Sequence, residues 1–139
     1  MIRILYLILI VFLIGSCTAS TGQLVKKEEF NIASYENQNQ IYIYRPKCSA
    51  AMMAKIIIEL NNNIIGVLGN KETINVTYNK KVNVISAFGD LNQRNYSITL
   101  DTEGLNSKYL IATYCDPLIG LKVNEIDYKD WIKIISDDF

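Results

Sequence analysis

From Gln40 to Ile126 the chain is a succession of short runs rich in Ile, Val, Tyr and Thr, each closed by Asn, Gly, Asp or Pro. β-Branched and aromatic side chains suit a pleated, half-buried surface, and the closing residues supply turn backbone. Ile41-Tyr42-Ile43-Tyr44 reads as a strand stopped by Pro46. Residues 54–60 and 64–68, separated by Asn61-Asn62-Asn63, read as a hairpin, with Gly66 marking a bulge. Residues 73–78 alternate, with Ile74, Val76 and Tyr78 on one face and Asn75 and Thr77 on the other. Residues 81–88 follow the Asn79-Lys80 turn, with Val82, Val84 and Ser86 sharing a face. Next come residues 96–101, with Ile98 and Leu100 inward, and 108–115, the most apolar strand and a candidate for a central position. Residues 121–126 make a last strand. Trp131, Ile134 and Ile135 then share a helical face from which Ile132 departs, which predicts a short C-terminal helix or turn. Seven or eight short strands without a βαβ alternation predict an all-β fold, an antiparallel β-sandwich, over residues 39–135.

The amino-terminal residues follow other rules. Met1-Ile2-Arg3 carries one positive charge, an apolar run extends from Ile4 to Ile14, and Ile14-Gly15-Ser16-Cys17 follows. A charged start, a short apolar core and small residues describe a secretory signal peptide over 1–16. The run is shorter than the roughly 20 residues that a membrane-spanning helix needs. The alternatives are an ordinary signal peptide with an incidental cysteine and an uncleaved anchor.

Ile14-Gly15-Ser16-Cys17 resembles the bacterial lipobox, an aliphatic residue and two small ones before Cys. That resemblance implies a diacylglyceryl thioether on Cys17, cleavage just before it and acylation of the new amino terminus. Two or three acyl chains hold a protein firmly to a membrane where one does not. Thr18, rather than Asp, after the cysteine implies the outer membrane by the enteric sorting rule. Cleavage leaves 123 residues with 13 positive and 14 negative side chains, so the lipid and not surface charge would anchor the chain. Residues 17–38, mixed and polar, read as a lipidated tether with a short ordered piece around Phe30 to Tyr35.

Three cysteines are present, Cys17, Cys48 and Cys115. With Cys17 lipidated in an oxidising compartment, an even remainder suggests a Cys48–Cys115 disulfide. The alternative is two unpaired thiols. A two-cysteine metal site has no histidine and no CxxC spacing to support it.

The order of the pieces also resembles a family of small bacterial lipoproteins with a domain of unknown function. The pieces are Tyr42-Ile43-Tyr44-Arg45-Pro46, Ile65-Gly66-Val67-Leu68, the 73–78 and 82–87 strands, and Gly104 before the Tyr-containing strand 109–114. The chain departs from the family at Asn79-Lys80, where Pro-Gly is usual. The resemblance implies a small sandwich similar to transthyretin-like or carboxypeptidase-regulatory modules, and no activity.

Chemistry-bearing candidates are few. The chain has no histidine, which removes His-based triads, metal sites and proton shuttles. Lys+Arg and Asp+Glu are 14 each, so no basic excess supports nucleic-acid binding. Arg45 presents a donor fork suited to a carboxylate, phosphate or sugar, or else pairs with an acid or stacks on Tyr42 or Tyr44. Exposed Tyr42 and Tyr44 would suit partner or glycan contact, and ordinary strand composition is the alternative. Asp127, Asp130, Asp137 and Asp138 read as a solvated end, with no calcium-loop spacing. The sequons at Asn75 and Asn95 read as chance. No catalytic, cofactor or metal residues are assigned.

The functional expectation is a lipid-anchored envelope protein, facing the periplasm at the outer membrane. It would bind or support another envelope protein or the cell wall. An inhibitory or toxin-neutralising lipoprotein with one protein partner is the second class, and an envelope hydrolase the third.

Overall fold

Alternating burial turns the punctuated runs into strands of two stacked sheets, with one helix laid on the outside. The computed structural model describes residues 23–25, 39–49, 53–78, 81–89, 95–104, 106–115 and 120–139. Cys17, the signal segment, the Phe30–Tyr35 piece, the Asn79-Lys80 turn and the Asp116-Pro117 break lie outside the described residues.

The strands are β1 (Gln23–Val25), β2 (Gln40–Arg45), β3 (Ile56–Leu60), β4 (Asn63–Leu68), β5 (Glu72–Thr77), β6 (Val82–Gly89), β7 (Asn95–Asp101), β8 (Lys108–Thr113) and β9 (Lys122–Ile126). The helix α1 spans Tyr128–Asp138. One sheet has the order β1-β5-β2-β8-β9 and the other β4-β3-β6-β7. The fold is therefore an all-β sandwich with a C-terminal helix.

The inner faces meet through Ile41, Ile43, Ile74, Val76, Leu110, Ala112 and Val123 from the first sheet. Ile56, Ile58, Ile65, Leu68, Ile85, Ala87 and Leu100 face them from the second. The β3–β4 hairpin closes on Asn61 and Asn62 at φ 51° and 67°, the left-handed values a two-residue turn between twisted strands requires. Its register shifts between Ile58 and Glu59, and Ile65 is the extra residue, beside Gly66. Gly66 sits where a Cβ would come within 2.7 Å of Ile74 Cδ1, so the bulge lets the two sheets close at this edge.

Two expectations need correction. The β2–β8 pair runs parallel, so the sandwich is not wholly antiparallel. Residues Gln23–Val25, inside the stretch read as a tether, pair with β5 as an edge strand. The apolar strand β8 is interior to its sheet, between β2 and β9, and β2 is the middle strand. On β6 Val82, Val84 and Ser86 share a face as expected, and it is the outer one: Val82 is 55% exposed, while Asn83, Ile85 and Ala87 face inward. Asn83 can stand inward because it donates to Thr102 Oγ1 at 2.9 Å and accepts from Asn61 Nδ2 at 2.9 Å.

The two ends of the sandwich differ. At one end lie the Asn61-Asn62 turn, Tyr78 and Lys81 around the β5–β6 connection, and the β7–β8 loop. Thr102 N donates to the Lys81 carbonyl at 2.8 Å and Tyr78 Oη to the Asn106 carbonyl at 2.9 Å. At the other end are the exit of β2, the β4–β5 turn, the exit of β8 and the last turn of α1.

Candidate functional site

The residues expected to bind a ligand sit on β2, and β2 is covered on both sides. Ile41 and Ile43 face the sandwich core, while Tyr42 and Tyr44 face outward against α1. The helix starts at Asp127, whose side chain accepts from Asp130 N at 3.0 Å. It presents Trp131 and Ile135 to the sheet, with Ile132 and Ile134 packed at the margin. Trp131 Nε1 donates to the Leu110 carbonyl at 3.2 Å. Its ring lies 5.8 Å from that of Tyr42, 6.4 Å from Tyr44 and 5.4 Å from Tyr109. Tyr42 and Tyr109 stack at 5.4 Å, 6° from parallel.

Tyr42 and Tyr44 are thus 1% and 0% exposed, and Arg45 is also 0% exposed. None of the three presents a surface to a partner, which corrects the expectation that they do. The reason is positional: a middle strand under a helix has no solvent face. Arg45 has a structural task instead. Its Nη1 donates to the carbonyls of Ala54 and, at 3.1 Å, Leu68, tying β2 to the ends of the hairpin strands across the sandwich.

The last turn of α1 forms a latch on the same end. Tyr44 Oη donates to Asp138 Oδ2 at 2.8 Å, and Lys47 N donates to the same oxygen at 3.0 Å. Lys71 Nζ donates to the Asp138 carbonyl and lies 5.8 Å from the centre of the Phe139 ring. Asp138 therefore departs from the solvated end expected for the terminal acids. Burial, then the hydrogen bond and charge of Asp138, push the Tyr44 hydroxyl far above the ordinary tyrosine range.

That shift carries a prediction. In the unfolded chain tyrosine ionises near pH ~10, whereas folded Tyr44 keeps its proton. The unfolded state then binds fewer protons than the native one. Stability is intact below pH ~10 and falls above it, by up to about 1.4 kcal/mol per pH unit. Tyr78 acts in the same direction through burial, opposed by the charge of Lys108. Tyr44→Phe should cost about 1 kcal/mol at neutral pH and flatten the alkaline decline. Urea midpoints of both proteins across the alkaline range test this, and parallel slopes would refute it.

Cys48 and Cys115 are joined by a disulfide with a Cα–Cα distance of 5.0 Å. It ties the exits of the neighbouring strands β2 and β8, at the same end as the Asp138 latch.

The opposite end carries a surface depression of about 220 Å³ lined by Asp101, Glu103, Gly104, Asn106 and Lys108. That is below the usual size of a small-molecule pocket. Its charges are engaged: Lys81 Nζ pairs with Glu103 at 2.5 Å and Lys108 Nζ with Glu125 at 3.0 Å. Asp101 Oδ1 accepts from Glu103 N at 3.0 Å. Among the described residues no group of three or more Cys, Asp or Glu is placed to hold a metal ion. Among the same residues no helix is long and apolar enough to cross a membrane.

One further surface was not legible as a site. The outer face of the β4-β3-β6-β7 sheet aligns Val67, Ile57 and Phe88 in one cross-strand row. Ile64 is 54% and Val67 40% exposed, and Val82 lies on the same face. Compared with known proteins, the chain matches no family model, no curated protein and no solved structure.

Proposed function

We propose that the chain is a lipid-anchored module of a bacterial envelope, attached through Cys17 and acting by binding or support rather than by catalysis. The observation that carries this reading is Ile14-Gly15-Ser16-Cys17 directly behind a short apolar run. The disulfide supports it: with Cys48 bonded to Cys115, Cys17 is the cysteine left for other chemistry, and such bonds persist in oxidising compartments. Thr18 favours the outer membrane over the inner one by the sorting rule. The resemblance of the order of elements to that of small bacterial lipoproteins points the same way.

The cross-strand row of Val67, Ile57 and Phe88 on the outer face of the second sheet, with Val67 40% exposed, offers an apolar surface to another envelope protein. An inhibitory lipoprotein would use the same kind of surface. The engaged acids around the surface depression, and the lack of histidine, favour either over a hydrolase.

Expression in a bacterium, followed by intact mass and detergent fractionation of wild type beside Cys17→Ala, tests the anchor. The expected wild type begins at Cys17, carries acyl mass and partitions with membranes, while the variant does none of these. Identical behaviour of the two proteins would overturn the reading.

A further inference from the structure

We infer that the lipid anchor holds the sandwich upright, with the end bearing the Asn61-Asn62 turn, Lys81 and the Gly104 loop against the bilayer and the disulfide end directed away. The occupant of this surface is the lipid headgroup layer. The inference rests on the lipid anchor at Cys17 proposed above.

Two observations carry it. The first is the length of chain available. If residues 17–38 were all tether, the domain could stand far from the membrane in any orientation. Pairing of Gln23–Val25 with β5 shortens the leash to the steps between Cys17 and Gln23, about 20 Å at full extension. The second is the direction of β1. Its register is Gln23 opposite Asn75 and Val25 opposite Thr73, antiparallel to β5. The amino-terminal end of β1 therefore points toward the end of β5 at Thr77, which is the end carrying Tyr78, Lys81 and the β7–β8 loop. Two further residues of β5 lie beyond Asn75, about 7 Å of strand. That leaves on the order of 15 Å between this end and the lipid, less than the length of the sandwich itself.

The surface suits the position. Lys81 and Glu103 are 79% and 65% exposed at their side chains and form an ion pair, and Asn62, Gly104 and Asn106 are exposed at the same end. Such groups stay hydrated in a headgroup layer. The disulfide, Lys47 and Lys55 lie at the far end, away from the bilayer.

The test uses the full, lipidated protein, purified from bacterial membranes and reconstituted into phosphatidylethanolamine–phosphatidylglycerol vesicles. A bulky, polymer-bearing amine reagent is applied, and modification is mapped by peptide mass. Relative to the same protein in detergent, labelling of Lys81 should fall severalfold, with Lys47 and Lys55 unchanged. A long Gly/Ser spacer inserted between Ser20 and Thr21 should keep the protein on the vesicles and restore labelling of Lys81. Val25→Pro, which removes a backbone donor facing β5, should act in the same direction as the spacer. Vesicle-bound protein whose Lys81 labels as freely as Lys47 overturns the orientation and leaves the anchor standing. Protein that lacks acyl mass and does not bind vesicles overturns the anchor reading, and this inference with it.

Discussion

Trp131→Ala should destabilise the domain by about 3–5 kcal/mol, the cost of emptying a fully buried tryptophan site. Trp131 is 0% exposed and its ring meets those of Tyr42, Tyr44 and Tyr109. No other side chain of α1 could fill the space: Ile135 is one turn further on, and Ile132 and Ile134 flank the contact. Loss of the ring also removes the hydrogen bond to the Leu110 carbonyl. The helix would then be held mainly by Ile135 and by the Asp138 latch, and the outward tyrosines of β2 would meet water. Because the variant loses the chain's single tryptophan, denaturation is best followed by far-ultraviolet circular dichroism. Trp131→Phe keeps an aromatic ring and should cost less than Trp131→Ala. A Trp131→Ala protein within about 1 kcal/mol of wild type would mean that α1 contributes little to covering β2.

Loss of the disulfide is the second large effect. Cys48 and Cys115 are 67 positions apart, and the chain-entropy relation assigns a loop of that length about 4 kcal/mol. For a domain of this size that corresponds to a fall in Tm on the order of 15 °C. The position adds a reason. β2 and β8 are parallel neighbours, which no hairpin can join, and the crosslink ties their exits directly. Cys48→Ser/Cys115→Ser and wild type under reducing conditions should melt together, well below the oxidised protein. Coincident melting of oxidised and reduced wild type would show that the crosslink adds nothing to the packed core.

The strands of the second sheet were legible almost residue by residue. β3 and β4 meet at Asn61-Asn62, and both residues adopt the positive φ that asparagine tolerates. The alternation of Ile74, Val76 and Tyr78 likewise places them in the core. Such features are local: side-chain period and turn chemistry act within a few residues. On β6 the shared face of Val82, Val84 and Ser86 was legible, but not that it is the outer one. The Asn61–Asn83–Thr102 hydrogen bonds that hold Asn83 inward join three separate segments. β1 gave no signal, being three residues long and defined by its partner rather than its own pattern.

The candidate site shows the same division. Tyr42, Tyr44 and Arg45 look like a binding face because aromatic residues and arginine favour contact surfaces. A strand sequence states which residues alternate, but not which strand is central or what lies over it. Here α1 returns over β2 and takes the tyrosines as its own packing partners.

By itself, then, the sequence determined the strand-and-turn succession, the helical face at Trp131, the signal-like start with its lipobox-like end, and the want of histidine chemistry. All of these depend on residue type and short spacing. Tertiary structure alone decided the parallel β2–β8 pair, the burial of the β2 side chains, the Asp138 latch and the exposed apolar face. Each is a contact between residues distant in the chain, chosen by where apolar surface could be buried together, and a one-dimensional pattern does not encode that choice.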